Sequence, residues 1–154
     1  EVPAFLPDRF EPGTPNIPGI LGLHAALSDL EKTSMEESFQ HEMKLTQEFI
    51  DGIQALDPFE KNIRIIGKKN TSDRCAVVSL QTLQPDMSMV AYELDSTYSI
   101  MTRVGLHCAP SAHKTLGTYP EGTIRFSFGP ENTHHEVDLA LHALAEITGS
   151  PYHL

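Results

Sequence analysis

Tryptophan is absent from the 154 residues, and cysteine occurs only twice, at Cys75 and Cys108. One possible pairing is not the dense disulfide framework of a small secreted domain. Basic residues are scarce. Eleven Lys and Arg stand against 21 Asp and Glu, for a net charge of −10. The basic cluster Lys68–Lys69 is too small to grip phosphates, so no nucleic-acid partner is expected. The same balance argues against an anionic membrane surface. No stretch approaches the roughly 18 apolar residues of a membrane span. No charged, apolar and small-residue leader pattern opens the chain. A cytoplasmic protein with both thiols reduced is expected.

What is present is globular in character. The chain is 40% hydrophobic and 21% charged, whereas disorder needs fewer apolar residues and more charge. A chain of this length can bury a core without metal or disulfide staples. Proline is concentrated at one end, with Pro3, Pro7, Pro12, Pro15 and Pro18. Proline fixes φ and removes a donor. Residues 1–16 are therefore expected to form an extended arm without regular structure, followed by one domain over residues 17–154. Such an arm fits a linker or a piece of something larger.

From Ile17 the pattern becomes periodic. Ile20, Leu23, Leu27 and Leu30 recur at helical spacing. A second helix is expected from Ser34, with Glu37 completing a capping box, to about Leu56. Phe39, Met43, Thr46, Ile50 and Ile53 form its stripe, and Asp57–Pro58 stops it. Short apolar runs predict strands at 62–67, 75–82, 99–104 and 123–128. Cys75 is expected in the core. Pro85 and Asp86 open a short helix to about Asp95, and 107–121 reads as a long loop. A last helix starts at Thr133 with Glu136 and ends at Gly149 and Pro151. The order ααββαββα predicts an α+β fold: a small, mostly antiparallel sheet with helices on one face.

Several residues could carry chemistry. Cys108 follows Arg103-Val104-Gly105-Leu106-His107, and a neighbouring Arg or protonated His favours the nucleophilic thiolate form of cysteine. The alternative is a small buried hydrophobe. In Thr123 to Phe128 the alternation sends Arg125 away from the apolar face. With Arg103 it could hold a carboxylate, or it could be a solvated surface residue. His107, Cys108 and His113, with His134 or His135, match no familiar zinc spacing, so no metal is expected. Glu11 to Asn16, containing Gly13 and Thr14, is either a backbone nest for an anion or an ordinary turn.

Together these segments resemble the C-terminal part of class V aminotransferase-type, pyridoxal-phosphate-dependent enzymes, and within them the cysteine desulfurase and selenocysteine lyase group. Arg9-Phe10-Glu11-Pro12-Gly13-Thr14-Pro15-Asn16 resembles that group's R-F-E-x-G-T-x-N segment. Gly19 to Leu27 resembles the helix after it. Arg103 to Ala109 resembles its R-x-G-x-H-C-A loop. Gly122 to Ser127 resembles the strand with the substrate arginine. Asn132-Thr133 with Glu136-Val137-Asp138 resembles its N-T-x-x-E-[IV]-D helix start.

The resemblance implies the small domain of a fold-type I transferase and an amino-acid substrate. It implies that Cys108 is the nucleophile that accepts sulfur and passes it to an acceptor protein. It implies that Arg125 holds the substrate carboxylate, with Arg103 and His107 beside it. Gly13 and Thr14 would reach the cofactor phosphate, in that family of the other subunit of a homodimer. The family's Schiff-base lysine precedes the R-F-E segment. Lys114, in Ser111-Ala112-His113-Lys114, follows the Cys loop and is not assigned that role. The chain is therefore expected to be a C-terminal fragment, inactive alone and a poor binder of pyridoxal phosphate. Pro110 to Gly117 departs from better-known desulfurases. Alternatives are a selenocysteine lyase, an aminotransferase relative, or a stand-alone sulfur-carrier or binding module without cofactor.

Overall fold

The computed structural model describes residues 3–11, 13–57, 60–83 and 86–149. Glu1, Pro12, Pro58, Pro85 and Pro151 lie outside these residues. The expected helix stop, helix start and final terminator at the last three are therefore not described. The chain divides into two compact units, residues 1–37 and 38–154.

In the first unit the arm is not wholly irregular, because Asp8–Phe10 makes one 3-10 turn. Helix α1 spans Ile17–Leu30. The Asn16 side chain accepts from the Gly19 N–H at 3.1 Å, satisfying one of the donors left open in a first turn. Pro18 stands in that turn, where a missing N–H costs nothing. No residue of α1 is buried, and Ile20, Leu23, Leu27 and Leu30 are exposed. Helix α2 spans Met35–Leu56, and Ser34 Oγ accepts from the Glu37 N–H at its start.

The second unit holds the core. On α2 the buried side is Met43, Leu45, Thr46, Phe49, Ile50, Ile53 and Leu56, while Phe39 stays exposed. Strand β1 is Ile63–Ile66 and β2 is Val77–Thr82. Helix α3 is Met87–Tyr98, strand β3 Arg103–Gly105 and helix α4 Pro110–Leu116. Strand β4 is Thr123–Ser127 and helix α5 His134–Thr148. The four strands form one sheet in the order β1-β2-β4-β3, every pair antiparallel. Ile63, Ile65, Val78, Leu80, Ile124 and Phe126 face one way and join buried residues of α2, α3 and α5 in a single cluster. This is the α+β arrangement expected, a small antiparallel sheet with its core helices against one face.

Three local expectations change. Helix α3 continues past Asp95 to Tyr98, where Ser99 takes the left-handed conformation (φ 57°) and its N–H caps the Asp95 carbonyl. The third strand therefore starts at Arg103 and not at Ser99. The loop expected over 107–121 contains α4, with Pro110 in its first turn and Gly117 at φ 70° as its cap. Cys75 is exposed, just before β2, and is not a core residue.

Candidate active site

The sheet's second face carries the predicted site residues. Side chains directly opposite each other on paired antiparallel strands share a face. Arg103 pairs with Arg125, and Arg125 with Ser79. One row toward the other end, Gly105 pairs with Thr123 and Arg64 pairs with Gln81. The four strands contain Arg64, Arg103 and Arg125 and no Asp or Glu. In a chain of net charge −10, this face is locally cationic. Among the described residues no carboxylate forms a salt bridge with any of these three guanidiniums.

Cys108 sits where β3 runs off this face. The Ala109 N–H donates to the Leu106 carbonyl at 2.8 Å, closing a four-residue turn. Its two central residues, His107 and Cys108, both have positive φ, 50° and 60°. That is the type I′ pattern, normally given to Gly, Asn or Asp. The turn leaves Cys108 exposed at its tip. Behind it, Gly122 at φ 85° lies so close to Gly105 that a Cβ would fall 2.2 Å from the Gly105 carbonyl carbon. Only glycine lets β4 begin so close to the end of β3.

His107 folds back onto β4. Its Nε2 is 3.1 Å from the Thr123 carbonyl and 3.2 Å from Thr123 Oγ1. A carbonyl only accepts, so Nε2 carries the proton and Nδ1 holds the lone pair in the neutral ring. Burial, then the positive charge of Arg125, pushes the imidazole below the usual histidine range. The Thr123 carbonyl opposes this, while His113 and Arg103 add to it. The positive charge near the Cys108 loop therefore comes from arginine and not from a protonated His107. The His113 ring lies 5.9 Å from that of His107, and His113 Nδ1 meets Thr118 Oγ1 at 2.7 Å.

Buried polar atoms without a partner are rare in folded proteins. Among the described residues there are four: Arg64 Nε, Thr102 Oγ1, His107 Nδ1 and Arg125 Nε. Three of them belong to side chains on or against the arginine face. Two are donors and one is an acceptor. Arg64 and Gln81 carried no signal in the sequence, because the alternation that points them outward is the same for any surface pair.

Gly13 and Thr14 are exposed in the first unit, and a Cβ on Gly13 would meet nothing within 4 Å. They form no cradle of their own. Lys114 Nζ rests 5.1 Å from the centre of the Tyr119 ring. The residues present thus do not by themselves fit pyridoxal phosphate. His134 Nδ1 pairs with Glu48 Oε2 at 2.5 Å, away from the Cys loop. Among the described residues no group of three His, Cys, Asp or Glu side chains could hold a metal ion. Among them, too, no helix is long and apolar enough to cross a membrane.

Residues 3–140 match the family described as Aminotransferase class-V. The chain belongs to that family. It is 35% identical over 144 residues to a probable cysteine desulfurase of Pyrococcus abyssi, covering 94% of this chain and 34% of that one. With a probable cysteine desulfurase of Mycobacterium leprae it shares 33% identity, covering 86% and 30%. Among solved structures, the cysteine desulfurase of Thermococcus onnurineus superposes with a TM-score of 0.81 at 34% identity, covering 93% of this chain and 34% of that one. A cysteine desulfurase of Escherichia coli gives 0.69 at 25% identity, covering 88% and 31%. The class-V chain thus spans about a third of the length of the relatives it matches.

Proposed function

We propose that this chain forms the sulfur-accepting part of a pyridoxal-phosphate-dependent cysteine desulfurase. The observation that carries this reading is the set of unpartnered atoms beside an exposed thiol. Arg125 Nε–H can donate to an anion, and neutral His107 Nδ1 can accept from an N–H or O–H. An α-amino acid supplies both, a carboxylate and an amino group. Family membership supports an amino-acid substrate and pyridoxal phosphate, which serves as the electron sink when bound.

Each residue then has a task. Arg125 holds the substrate carboxylate, with its register partner Arg103 adding a second positive charge. His107 orients the amino group and, through Thr123, fixes the turn. Cys108 takes the substrate sulfur as a persulfide: cysteine and the enzyme thiol become alanine and the enzyme persulfide, so atoms balance. Gly13 and Thr14 contact the cofactor phosphate of the other subunit in a homodimer, and the protein works in the cytoplasm. The persulfide goes on to an acceptor protein.

The test uses the complete, cofactor-loaded enzyme. Arg125→Ala raises KM for cysteine roughly ten- to a hundredfold, the effect of losing one charge-assisted bond of about 1.5–3 kcal/mol. A larger loss from Arg103→Ala would reverse the ranking of the two arginines.

A further inference from the structure

The arginine face holds more than the amino-acid reading uses. Arg64, on the edge strand β1, donates from Nη2 to Gln81 Oε1 at 2.5 Å. Gln81 is only 9% exposed, so it braces the guanidinium from a fixed position. Yet Arg64 Nε is buried and unpartnered. The brace uses one donor and leaves the adjacent Nε–H without a partner, so a turn of the side chain would offer it to an oxyanion.

Its position relates it to Cys108. Arg64 pairs with Gln81, whose neighbour Leu80 pairs with Ile124. Continuing that register by one residue brings Gln81 beside Thr123, which pairs with Gly105. Arg64 therefore lies on the row of the sheet nearest the Cys108 turn, three strand spacings from β3. At about 4.8 Å per spacing this is roughly 14 Å from the Arg64 backbone to that of Gly105, three residues before Cys108. That is too far for the carboxylate of a bound amino acid whose sulfur meets Cys108. It matches the reach of about four extended residues.

We propose that Arg64, braced by Gln81, is an oxyanion-binding position separate from Arg125, and that it takes the carboxylate of an acidic residue about four positions from the acceptor cysteine in the molecule that receives sulfur. The inference rests on the function proposed above. In the transfer step the acceptor thiolate attacks the outer sulfur of the Cys108 persulfide. The S–S bond breaks, Cys108 leaves as thiolate, and the acceptor carries the persulfide. No outside oxidant or reductant is needed.

The test uses this chain with Cys75→Ser, its Cys108 persulfidated by polysulfide. The acceptors are two capped five-residue peptides with cysteine first and either aspartate or asparagine last. The aspartate peptide is expected to react about tenfold faster than the asparagine one. Arg64→Gln should abolish that preference without slowing the asparagine peptide, and Arg64→Lys should restore part of it. Inorganic phosphate should remove the preference at constant ionic strength. Equal rates for the two peptides, or a preference that survives Arg64→Gln, would overturn the inference. So would a preference lost with Arg125→Gln and not with Arg64→Gln. If Cys108 neither held nor passed on sulfur, the function reading would fall, and this inference with it.

Discussion

The His107 imidazole is tied by Nε2 to the carbonyl and hydroxyl of Thr123, at 3.1 and 3.2 Å, across the junction of β3 and β4. One hydrogen-bonded ring thus links the turn that displays Cys108 to the strand that carries Arg125. Its protonation matters for stability. Burial and Arg125 favour the neutral ring, so the unfolded chain binds the proton more readily. Stability is therefore greatest above the ordinary histidine value, about 6.5. It falls as pH drops through that value toward the lower folded one. Urea denaturation between about pH 7.5 and 5 should show this slope, and His107→Gln should flatten it. An unchanged slope would mean that His107 titrates normally.

Asp57 caps the entry to β1. Burial alone would raise its pKa, but the N–H groups of Asn62 and Ile63 outweigh it and hold the carboxyl below the usual range. Asp57→Ala leaves two backbone donors without their acceptor and should cost about 1–3 kcal/mol in chemical denaturation. The wild-type contribution is present above the ordinary Asp range and is lost as pH falls through the depressed folded value. A cost below about 0.5 kcal/mol would show that water replaces the carboxylate.

Gly122→Ala tests the approach of β4 to β3. The added Cβ meets Gly105 backbone, and φ is positive, so neither strain nor clash is relieved by a side-chain rotation. The expected loss is more than about 2 kcal/mol, read as a fall in Tm. A neutral result would mean that the β3–β4 junction is loose.

The two thiols should behave as independent exposed groups. Cys75 lies beyond the Ser127 end of the sheet and Cys108 beyond the Thr123 end. Four residue steps along β4 separate these ends, roughly 13 Å, whereas a disulfide needs Cα atoms within about 7 Å. Thiol titration of the native chain should count both cysteines, with no intramolecular disulfide after mild oxidation. Cys75→Ser should cost less than about 0.5 kcal/mol.

Much of this site was legible in the sequence. The alternation in Thr123 to Phe128 pointed Arg125 away from the core, and the Arg103 to Ala109 motif put Cys108 on a loop after a strand. What was not legible came from residues in conformations their types rarely adopt. Ser99 ends α3 in the left-handed region with no glycine to mark it, so the third strand read too long. His107 and Cys108 form a positive-φ turn that composition does not announce. Helix α4 was signalled by Pro110 and Gly117, but seven residues carry too little periodicity. Apolar spacing identified α1 as a helix and could not reveal that its stripe remains exposed. The Arg64–Gln81 pair arises from strand register, which no local pattern encodes.

The most direct measurement is the mass of the Cys108 peptide from the complete, cofactor-loaded enzyme after one turnover with cysteine and no acceptor. The expected result is a gain of one sulfur atom on Cys108, none on Cys75, and alanine in equal amount. Full turnover of cysteine by Cys108→Ala, or sulfur found on Cys75 instead, would contradict it.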